Sequence, residues 1–195
     1  MNGLRRRRMR GPAAAATAAL LAALLGGAPP AAADQDAPEL DRLFERLQQV
    51  EDQAVAERIT GRIWEHWRRI DDPEAAAALE QGIVALQTGR HARAEAHFDR
   101  VVERAPGFAE GWNKRATARY LRGNMAGAAS DIRRVLQLEP RHFGALSGLG
   151  LVYMELERHG AAIEAFERAL ALNPHLEGTR ENIRIARERL REDST

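Results

Sequence analysis

Cysteine is missing from this sequence of 195 residues, and lysine, serine and aromatic residues are scarce. Without cysteine the chain can form no disulfide, no thiolate zinc site and no cysteine nucleophile, and it offers no cysteine for lipidation. Aromatic residues make up 5% of the chain, a shortage that disfavours β-sheets. Alanine, leucine, arginine and glutamate dominate instead, and these residues favour helices. An all-α fold is therefore the first expectation.

Residues that could carry catalytic chemistry are few and scattered. The serines stand at positions 130, 147 and 194, and none occupies the small-residue turn that exposes a hydrolase nucleophile. The six histidines show no zinc-motif spacing, and we interpret them as scattered surface residues. The stretch from Ser147 to Gly150 lacks the lysine of a phosphate-binding loop and falls inside a predicted helix. The sequence predicts a protein that is not an enzyme and holds no metal or cofactor.

The N-terminal segment, positions 1 to 33, has the layout of a secretory signal peptide. Arginines at positions 5 to 8 and 10 precede an alanine- and leucine-rich stretch over residues 13–25, and the segment ends in three alanines, 31 to 33. We expect cleavage after Ala33 and secretion to the periplasm of a bacterium. General secretion is favoured over the twin-arginine route by the residues that follow the arginines. An uncleaved N-terminal membrane anchor is the alternative.

The net charge of the chain depends on that segment. The whole sequence has 29 basic and 28 acidic side chains, a net charge of +1, but five of the basic ones lie in residues 1–33. The 24 that remain face 28 acidic side chains, which gives a net charge of −4. A chain with this charge lacks the electrostatic footprint of a nucleic-acid-binding protein. We expect no nucleic acid partner and no membrane insertion after cleavage.

Similar residues recur along the chain at a spacing of 34 positions. Alanines recur at 94, 128 and 162, a bulky apolar residue follows each of them four positions later, and prolines recur at 106, 140 and 174. Each copy contains two runs in which apolar residues return at three- and four-residue steps, and each run predicts one face of a helix. Short glycine-containing breaks separate the two runs, and prolines separate the copies.

These repeats predict an α-α superhelix of about four helical hairpins plus a C-terminal capping helix. Three full copies occupy residues 75–108, 109–142 and 143–174. Residues 34–74 form a degenerate N-terminal hairpin, in which Trp64 and Trp67 fall in core columns and are expected to be buried against the first full copy. Asp72 is the expected cap of the helix that follows it, and residues 175–195 form the capping helix and a tail. Stacked hairpins cover each other's apolar faces.

The third copy resembles the tetratricopeptide repeat, whose unit is a pair of helices with this same repeat length. The resemblance is carried by Leu146, Leu149, Gly150, Tyr153, Ala162, Phe166, Ala169 and Pro174. The second copy departs from the pattern at Arg115, where a leucine is usual. The resemblance implies a non-catalytic scaffold that binds a protein or peptide partner in a concave groove lined by the first helix of each repeat. The alternative is a fixed structural subunit of a larger envelope complex, bound through its convex face or its ends.

The resemblance also implies which side chains line that groove. Carried onto this chain they are Leu79, Ile83, Leu86, Glu110, Asn113, Lys114, Thr117, Tyr120, Ser147, Leu151, Met154 and Glu155. The expected peptide-binding residues among them are Asn113, Lys114, Thr117, Tyr120, Ser147 and Glu155. Asn113 and Lys114, the one lysine of the chain, are the expected specific contacts. The same side chains also fit an ordinary solvated surface.

One subgroup of such proteins grips the C-terminal carboxylate of heat-shock chaperones with Lys, Asn and Arg side chains spread over three repeats. The corresponding positions here are Leu79, Ile83, Gly144 and Gly148. None of these residues can hold a carboxylate. The sequence therefore predicts a groove without that clamp, which prefers a ligand with both apolar and polar contacts.

Overall fold

A computed structural model describes residues 37–193, which form nine α-helices and no strand. The helices are α1 (Ala37–Gln49), α2 (Gln53–Trp67), α3 (Pro73–Gln87), α4 (His91–Arg104), α5 (Ala109–Leu121), α6 (Met125–Leu138), α7 (Phe143–Glu155), α8 (His159–Leu172) and α9 (Glu177–Glu192). Helices α3 to α8 pair as repeat 1 (α3 and α4), repeat 2 (α5 and α6) and repeat 3 (α7 and α8), and α9 packs against α8. The predicted all-α fold of about four hairpins and a capping helix is confirmed. The predicted signal peptide lies outside the described residues.

The helix ends follow local signals in the sequence. The side chain of Asp72 accepts a hydrogen bond from the backbone N–H of Ala75 at 2.8 Å, and Pro73 is the first residue of α3, as the cap motif predicted. Helices α6 and α8 end at Leu138 and Leu172, each shortly before a proline. Within residues 37–193, no helix has the length and apolar character that crossing a membrane requires.

The turn inside each repeat needs a left-handed residue at the same position. Gly89 (φ 70°) and Gly123 (φ 78°) take this conformation in repeats 1 and 2, and Glu157 (φ 55°) takes it in repeat 3. A side chain is sterically disfavoured there, whereas glycine is not. The turn of repeat 3 therefore carries a local strain that the turns of repeats 1 and 2 avoid.

The two helices of a repeat approach closely where a ring packs on a glycine. The ring of Phe98 in α4 lies on Gly82 of α3, and the ring of Phe166 in α8 lies on Gly150 of α7, so closely that neither glycine has room for a Cβ atom. Both rings are fully buried. This contact explains why a small residue recurs near the start of each copy. Gly82 and Gly150 are 68 positions apart, which is two repeat lengths.

Helices α1 and α2, named here the N-terminal hairpin (residues 37–67), are buried against repeat 3. Their apolar side chains form one cluster with Phe143 and Leu146 of α7 and Ala169 of α8. The buried residues of α3 and α4 belong to a separate cluster, which includes Ala118 of α5. The N-terminal hairpin is therefore next to repeat 1 in sequence but packs two repeats further along the superhelix.

Polar contacts tie the N-terminal hairpin to the same place. The Nε2 of Gln48 donates to the carbonyl oxygens of Ala171 (3.0 Å) and Leu172 (2.7 Å) at the end of α8. The Nδ2 of Asn173 donates to the hydroxyl of Thr60 at 3.2 Å. The hairpin lies along the edge where α6 and α8 end and α7 and α9 begin, so it covers two successive junctions.

The expectation that Trp64 and Trp67 pack against the first full copy is wrong. Trp67 is buried and stacks on the ring of His142, with centroids 4.1 Å apart and an angle of 11° between the rings. Trp64 is half-buried and meets Phe143 edge-on at 5.6 Å between centroids. Helix α7 begins with Phe143 and is preceded by His142, whereas the first turn of α3 offers proline, glutamate and alanine. Of these two surfaces, only the start of α7 offers aromatic rings on which the two tryptophans can pack.

Candidate binding groove

The first helices of successive repeats are neighbours, since α3 contacts α5 and α5 contacts α7. Their shared surface, named here the groove, contains the six predicted contact residues. Thr117 and Glu155 are exposed, and Asn113, Lys114, Tyr120 and Ser147 are half-buried. The hydroxyl of Tyr120 donates to Oε1 of Glu155 at 3.3 Å and so joins α5 to α7. Burial and the nearby charge of Glu155 raise the pKa of Tyr120, so its hydroxyl stays protonated as a donor.

Asn113 and Lys114 both contact Glu110. The Nδ2 of Asn113 donates to Oε2 of Glu110 at 2.8 Å, and the Lys114 ammonium forms an ion pair with Oε1 at 3.0 Å. Among the described residues, Oε1 accepts no directed hydrogen bond, so its contact with Lys114 is an ion pair only. The expectation that Glu110 lines the open groove is wrong, because the residue is fully buried. The side chains of Asn113 and Lys114 are therefore engaged with the Glu110 carboxylate and are not free to bind a ligand.

His142 is the fourth member of this cluster. Its Nδ1 accepts a hydrogen bond from the backbone N–H of Ala145 at 3.1 Å, so its Nε2 carries the proton and donates to Oε2 of Glu110 at 3.1 Å. Burial disfavours the charged carboxylate, but the hydrogen bond from His142 and the charge of Lys114 hold the pKa of Glu110 below its usual range. The cluster joins α5 to the start of α7. Sequence reasoning missed this cluster, because Glu110 and His142 lie 32 positions apart and histidine is not among the usual capping residues.

The interpretation of the histidines as surface residues is wrong for three of them. His66, His142 and His159 are buried. Each has a carboxylate nearby, which the sequence spacing did not reveal because the partners lie on other helices. Among residues 37–193, no group of three or more side chains that could bind a metal comes together.

The N-terminal hairpin reaches the groove at Trp64. The Lys114 ammonium lies 6.0 Å from the centroid of the Trp64 ring, within the range of a cation–π contact. The same ring lies on Gly144, where a Cβ atom would come within 2.7 Å of Cη2 of the indole. Gly144 therefore accommodates the tryptophan, which gives a structural reason for a glycine in the first turn of α7.

Helix α9 also contributes to the groove, which the repeat pattern did not indicate. The hydroxyl of Ser147 in α7 hydrogen-bonds with that of Thr179 in α9 at 3.1 Å. Thr117 donates to the backbone carbonyl oxygen of Asn113 within α5, so its hydroxyl serves the helix itself. The groove therefore runs from α3 to α9, with its polar side chains engaged mostly with each other.

Charged side chains between α4, α5 and α6 form what is named here the ionic junction: Glu95, Asp99, Arg115, Arg119 and Asp131. Arg115 donates to both oxygens of Asp131 (2.9 and 2.7 Å) and to Asp99 (2.9 Å). Arg119 donates to Asp131 and to Glu95, each at 2.9 Å. The side chain of Arg115 is 12% exposed and that of Asp131 is 2% exposed. This pairing accounts for Arg115 at a position where the repeat pattern has leucine.

Comparison with family models identifies the repeats. A model described as tetratricopeptide repeat matches residues 66–109 and 79–140, and a second model with the same description matches residues 144–176. A TPR repeat-containing protein of Rhizobium etli is 31% identical over 151 residues, which is 77% of this chain and 74% of that protein. Tetratricopeptide repeat protein 36 of Bos taurus is 36% identical over 104 residues, which is 51% of this chain and 55% of that protein.

Solved structures show the same fold at low sequence identity. The Sgt2 TPR domain of Aspergillus fumigatus has a TM-score of 0.60 and 20% identity, over 63% of this chain and 83% of that one. The first TPR of Spaghetti (RPAP3), bound to an HSP90 peptide, has a TM-score of 0.59 and 22% identity, over 62% and 96%. The MamA protein has a TM-score of 0.56 and 21% identity, over 78% and 81%.

Proposed function

The chain belongs to the tetratricopeptide repeat family, and on this premise we propose that it is a non-catalytic scaffold that binds an extended peptide segment of a partner protein in the groove. The observation that carries the proposal is the mixed chemistry of the side chains that stay accessible there. Leu121, which follows Thr117 by four positions on the same face of α5, is 46% exposed. Thr117 is exposed, and Leu151 and Met154 are half-buried. An extended peptide offers backbone groups to the polar side chains and its own side chains to the apolar ones.

The ligand we propose differs from a chaperone C-terminus. The first TPR of Spaghetti is bound to the HSP90 peptide SRMEEVD, which supports peptide binding as a use of this fold. In this chain, apolar or glycine residues stand where a carboxylate clamp would need basic side chains, and Lys114 is already paired with Glu110. We therefore propose an internal, extended segment with apolar side chains as the ligand.

We further propose that the protein acts in the periplasm or cell envelope after removal of residues 1–33. The arginine cluster, the apolar stretch and the three alanines of this segment support export. Mass spectrometry of the N-terminal peptide from a periplasmic fraction tests the proposal. We expect the mature chain to begin at Asp34. A chain found in the cytoplasm that begins at Met1 would contradict export.

The groove is tested best at its exposed positions, because changes at Asn113 or Lys114 would disturb the buried Glu110. We expect the tagged full chain to co-purify with a partner from a periplasmic extract, and the Thr117→Glu, Leu121→Glu double variant to lose it. Ala126→Glu with Ser130→Glu is the matched control, because both residues are exposed on α6. The α5 part of the groove is excluded as the binding surface if the partner stays with the first variant. Loss of the partner with the control as well would mean that added negative charge, and not the groove, causes the loss.

A second candidate function is a fixed subunit of a larger envelope complex, bound through an end of the superhelix. Val84 of α3 favours it, because this side chain is 57% exposed in the first helix of repeat 1 and the N-terminal hairpin packs elsewhere. Gel filtration of a periplasmic extract distinguishes the two candidates. A fixed subunit elutes with the assembly at every dilution, whereas a peptide-binding scaffold elutes near its own mass when it is diluted.

A further inference from the structure

A pocket of about 630 Å³ lies where α2, α7 and α9 meet. Its apolar lining includes Trp64 of α2, Phe143 of α7 and Leu176, the residue before α9. A volume of this size lies within the range of known ligand pockets and holds a large side chain together with part of its backbone. The pocket exists because the N-terminal hairpin packs against repeat 3, so a superhelix with ordinary stacking would lack its α2 wall.

Two glycines keep the pocket open. Gly61 of α2 and Gly178 of α9 both line it, and a Cβ atom at either one would meet no atom within 4 Å. Gly61 lies inside a helix, where glycine is less stabilising than alanine. Packing does not require a glycine there, because space for a side chain is present. Its effect is to leave room between α2 and α9.

The polar groups around the pocket suit a basic segment. Glu57 and Glu177 line it and are exposed, and no lysine or arginine is among the lining residues. His175 also lines it, and its Nε2 atom is buried with no hydrogen-bond partner among the described residues. Lys114, which lies over the Trp64 ring, is paired with Glu110. The pocket therefore combines an apolar interior with a rim of negative charge.

We infer that this pocket binds a large apolar side chain flanked by arginine or lysine, on an extended segment of a partner protein. The inference rests on the proposed function, because it assigns one subsite and one ligand chemistry to the groove. The apolar side chain enters between Gly61 and Gly178 and packs on Trp64. The flanking cations lie near Glu57 and Glu177, where exposure to solvent makes these pairs a source of selectivity more than of affinity.

Synthetic peptides test the inference on the full mature chain. The probe is Gly-Ser-Arg-Leu-Arg-Ser-Gly, and the controls replace either both arginines by glutamate or the leucine by glycine. We expect the probe to bind with a Kd on the order of 1 mM and to shift the NMR amide signals of Gly61 and Gly178, and each control to bind roughly tenfold more weakly. Equal binding of the three peptides, or no binding of the probe, overturns the inference.

Filling the pocket provides the matched variants. Gly61→Leu places a side chain in the pocket and should weaken probe binding roughly tenfold. Gly160→Leu should leave binding unchanged, because Gly160 is also a helical glycine with open space around it and lies outside the pocket. If Gly61→Leu changes the near-ultraviolet signal of the tryptophans, Gly178→Leu is used instead, because it fills the same pocket from α9. Unchanged binding in the variant that keeps this signal contradicts the inference.

The result also separates this inference from the proposed function. The Thr117→Glu, Leu121→Glu variant alters the groove at α5 and leaves the lining of the pocket intact. If this variant loses the cellular partner and the probe and control peptides bind equally, the pocket inference is overturned and the scaffold function is kept. Retention of the partner in this variant and its loss in Gly61→Leu would move the binding site from the α5 groove to the pocket.

Discussion

Repeats 1 and 2 meet across a network of charged side chains beside the apolar contact of Ala118. Repeats 2 and 3 meet mainly through apolar side chains beneath the N-terminal hairpin, with Glu110 and His142 as a buried polar pair. At the first junction, Arg115 and Arg119 of α5 pair with Asp99 and Glu95 of α4. Asp131 of α6 holds both arginines from within repeat 2. At the second, Ile132 of α6 packs in one apolar cluster with Leu149 and Val152 of α7. The N-terminal hairpin then covers the outer edge of the second junction.

This difference shows that the stability of neighbouring junctions in one superhelix can respond differently to pH and salt. Apolar burial does not change with the protonation of carboxylates and depends little on salt. Ion pairs weaken with salt where they are exposed and fail when the carboxylate is protonated or left without its partner. Because stability in repeat proteins is close to a sum of repeat and junction contributions, we expect repeat 1 to separate from repeat 2 under conditions that leave repeats 2 and 3 and α9 intact.

The largest effect is expected at the apolar junction. Trp67→Ala removes a buried ring that stacks on His142 and should lower the free energy of unfolding by about 3–5 kcal/mol. Urea denaturation followed by circular dichroism measures it. Val84→Ala is the control, because the side chain is exposed, and should change stability by less than about 0.5 kcal/mol. A loss below about 1 kcal/mol for Trp67→Ala would show that the hairpin contributes little to the junction.

The ionic junction can be broken at one partner or replaced at both. Arg115→Leu leaves Asp131 2% exposed with Arg119 as its remaining partner, and should cost about 2–3 kcal/mol. Adding Asp131→Ile should recover at least half of that loss, because an apolar pair of similar volume can replace a buried ion pair. Chemical denaturation of the single and double variants gives both values. A double variant less stable than Arg115→Leu would mean that the charges are needed at this junction.

Acid should loosen repeat 1 before repeat 3. Burial disfavours the charge on Glu95, but hydrogen bonds from Arg119 and Arg122 hold its pKa below the usual range. The hydrogen bond from Arg104 helps to lower the pKa of Asp72 to about 2. Since folding favours these charged carboxylates, their contribution is complete above the unfolded pKa values, about 4. It is lost as the pH falls from there towards about 2 for Asp72.

Hydrogen exchange measured between pH 6 and 3, corrected for the intrinsic rates, checks the acid prediction. The protection of α3 and α4 amides should fall by roughly tenfold more than that of α7 and α8 amides. Added salt at neutral pH should produce the same order with a smaller amplitude. Equal loss of protection in both regions would remove the distinction between the junctions.

The smallest expected change in stability is at the turn inside repeat 3. It is purely local, so it serves as a comparison for the changes at the junctions. Glu157→Gly relieves the left-handed strain at this turn and should raise stability by about 0.5–1 kcal/mol. Gly123→Glu makes the reverse change at the equivalent turn of repeat 2 and should lower stability by a similar amount. Thermal unfolding of both variants provides the comparison. Changes of the same sign in the two variants would contradict the local explanation.

The parts of the fold that depend on local sequence could be predicted. The repeat period is visible in the sequence itself, and the Asp72 cap and the ends of α6 and α8 follow from side chains close to each feature. Thr117 and Glu155, two of the groove residues implied by the resemblance, are exposed, and their role in binding stays a prediction. Glu110 was misplaced because His142, the partner that makes its burial possible, lies 32 positions away, at the start of α7.

The position of the N-terminal hairpin could not be predicted from the repeat pattern. Its apolar residues fit the columns of a degenerate repeat, and this pattern shows which face is buried but not which surface buries it. The choice depends on stacking of Trp67 on His142 and on the hydrogen bonds of Gln48 to the end of α8. These partners lie on helices far apart in the sequence, with Gln48 and Ala171 separated by 123 positions, so no local signal connects them.

Spin-label distances test most directly whether the N-terminal hairpin packs on repeat 3. The chain has no cysteine, so Arg46→Cys in α1 can be labelled in pairs with Arg168→Cys in α8 or Arg100→Cys in α4. All three arginines are exposed, and positions 100 and 168 are equivalent in repeats 1 and 3. The structure predicts a shorter distance from position 46 to 168 than from 46 to 100. A shorter distance from 46 to 100 would mean that the hairpin stacks on repeat 1 and would contradict the account.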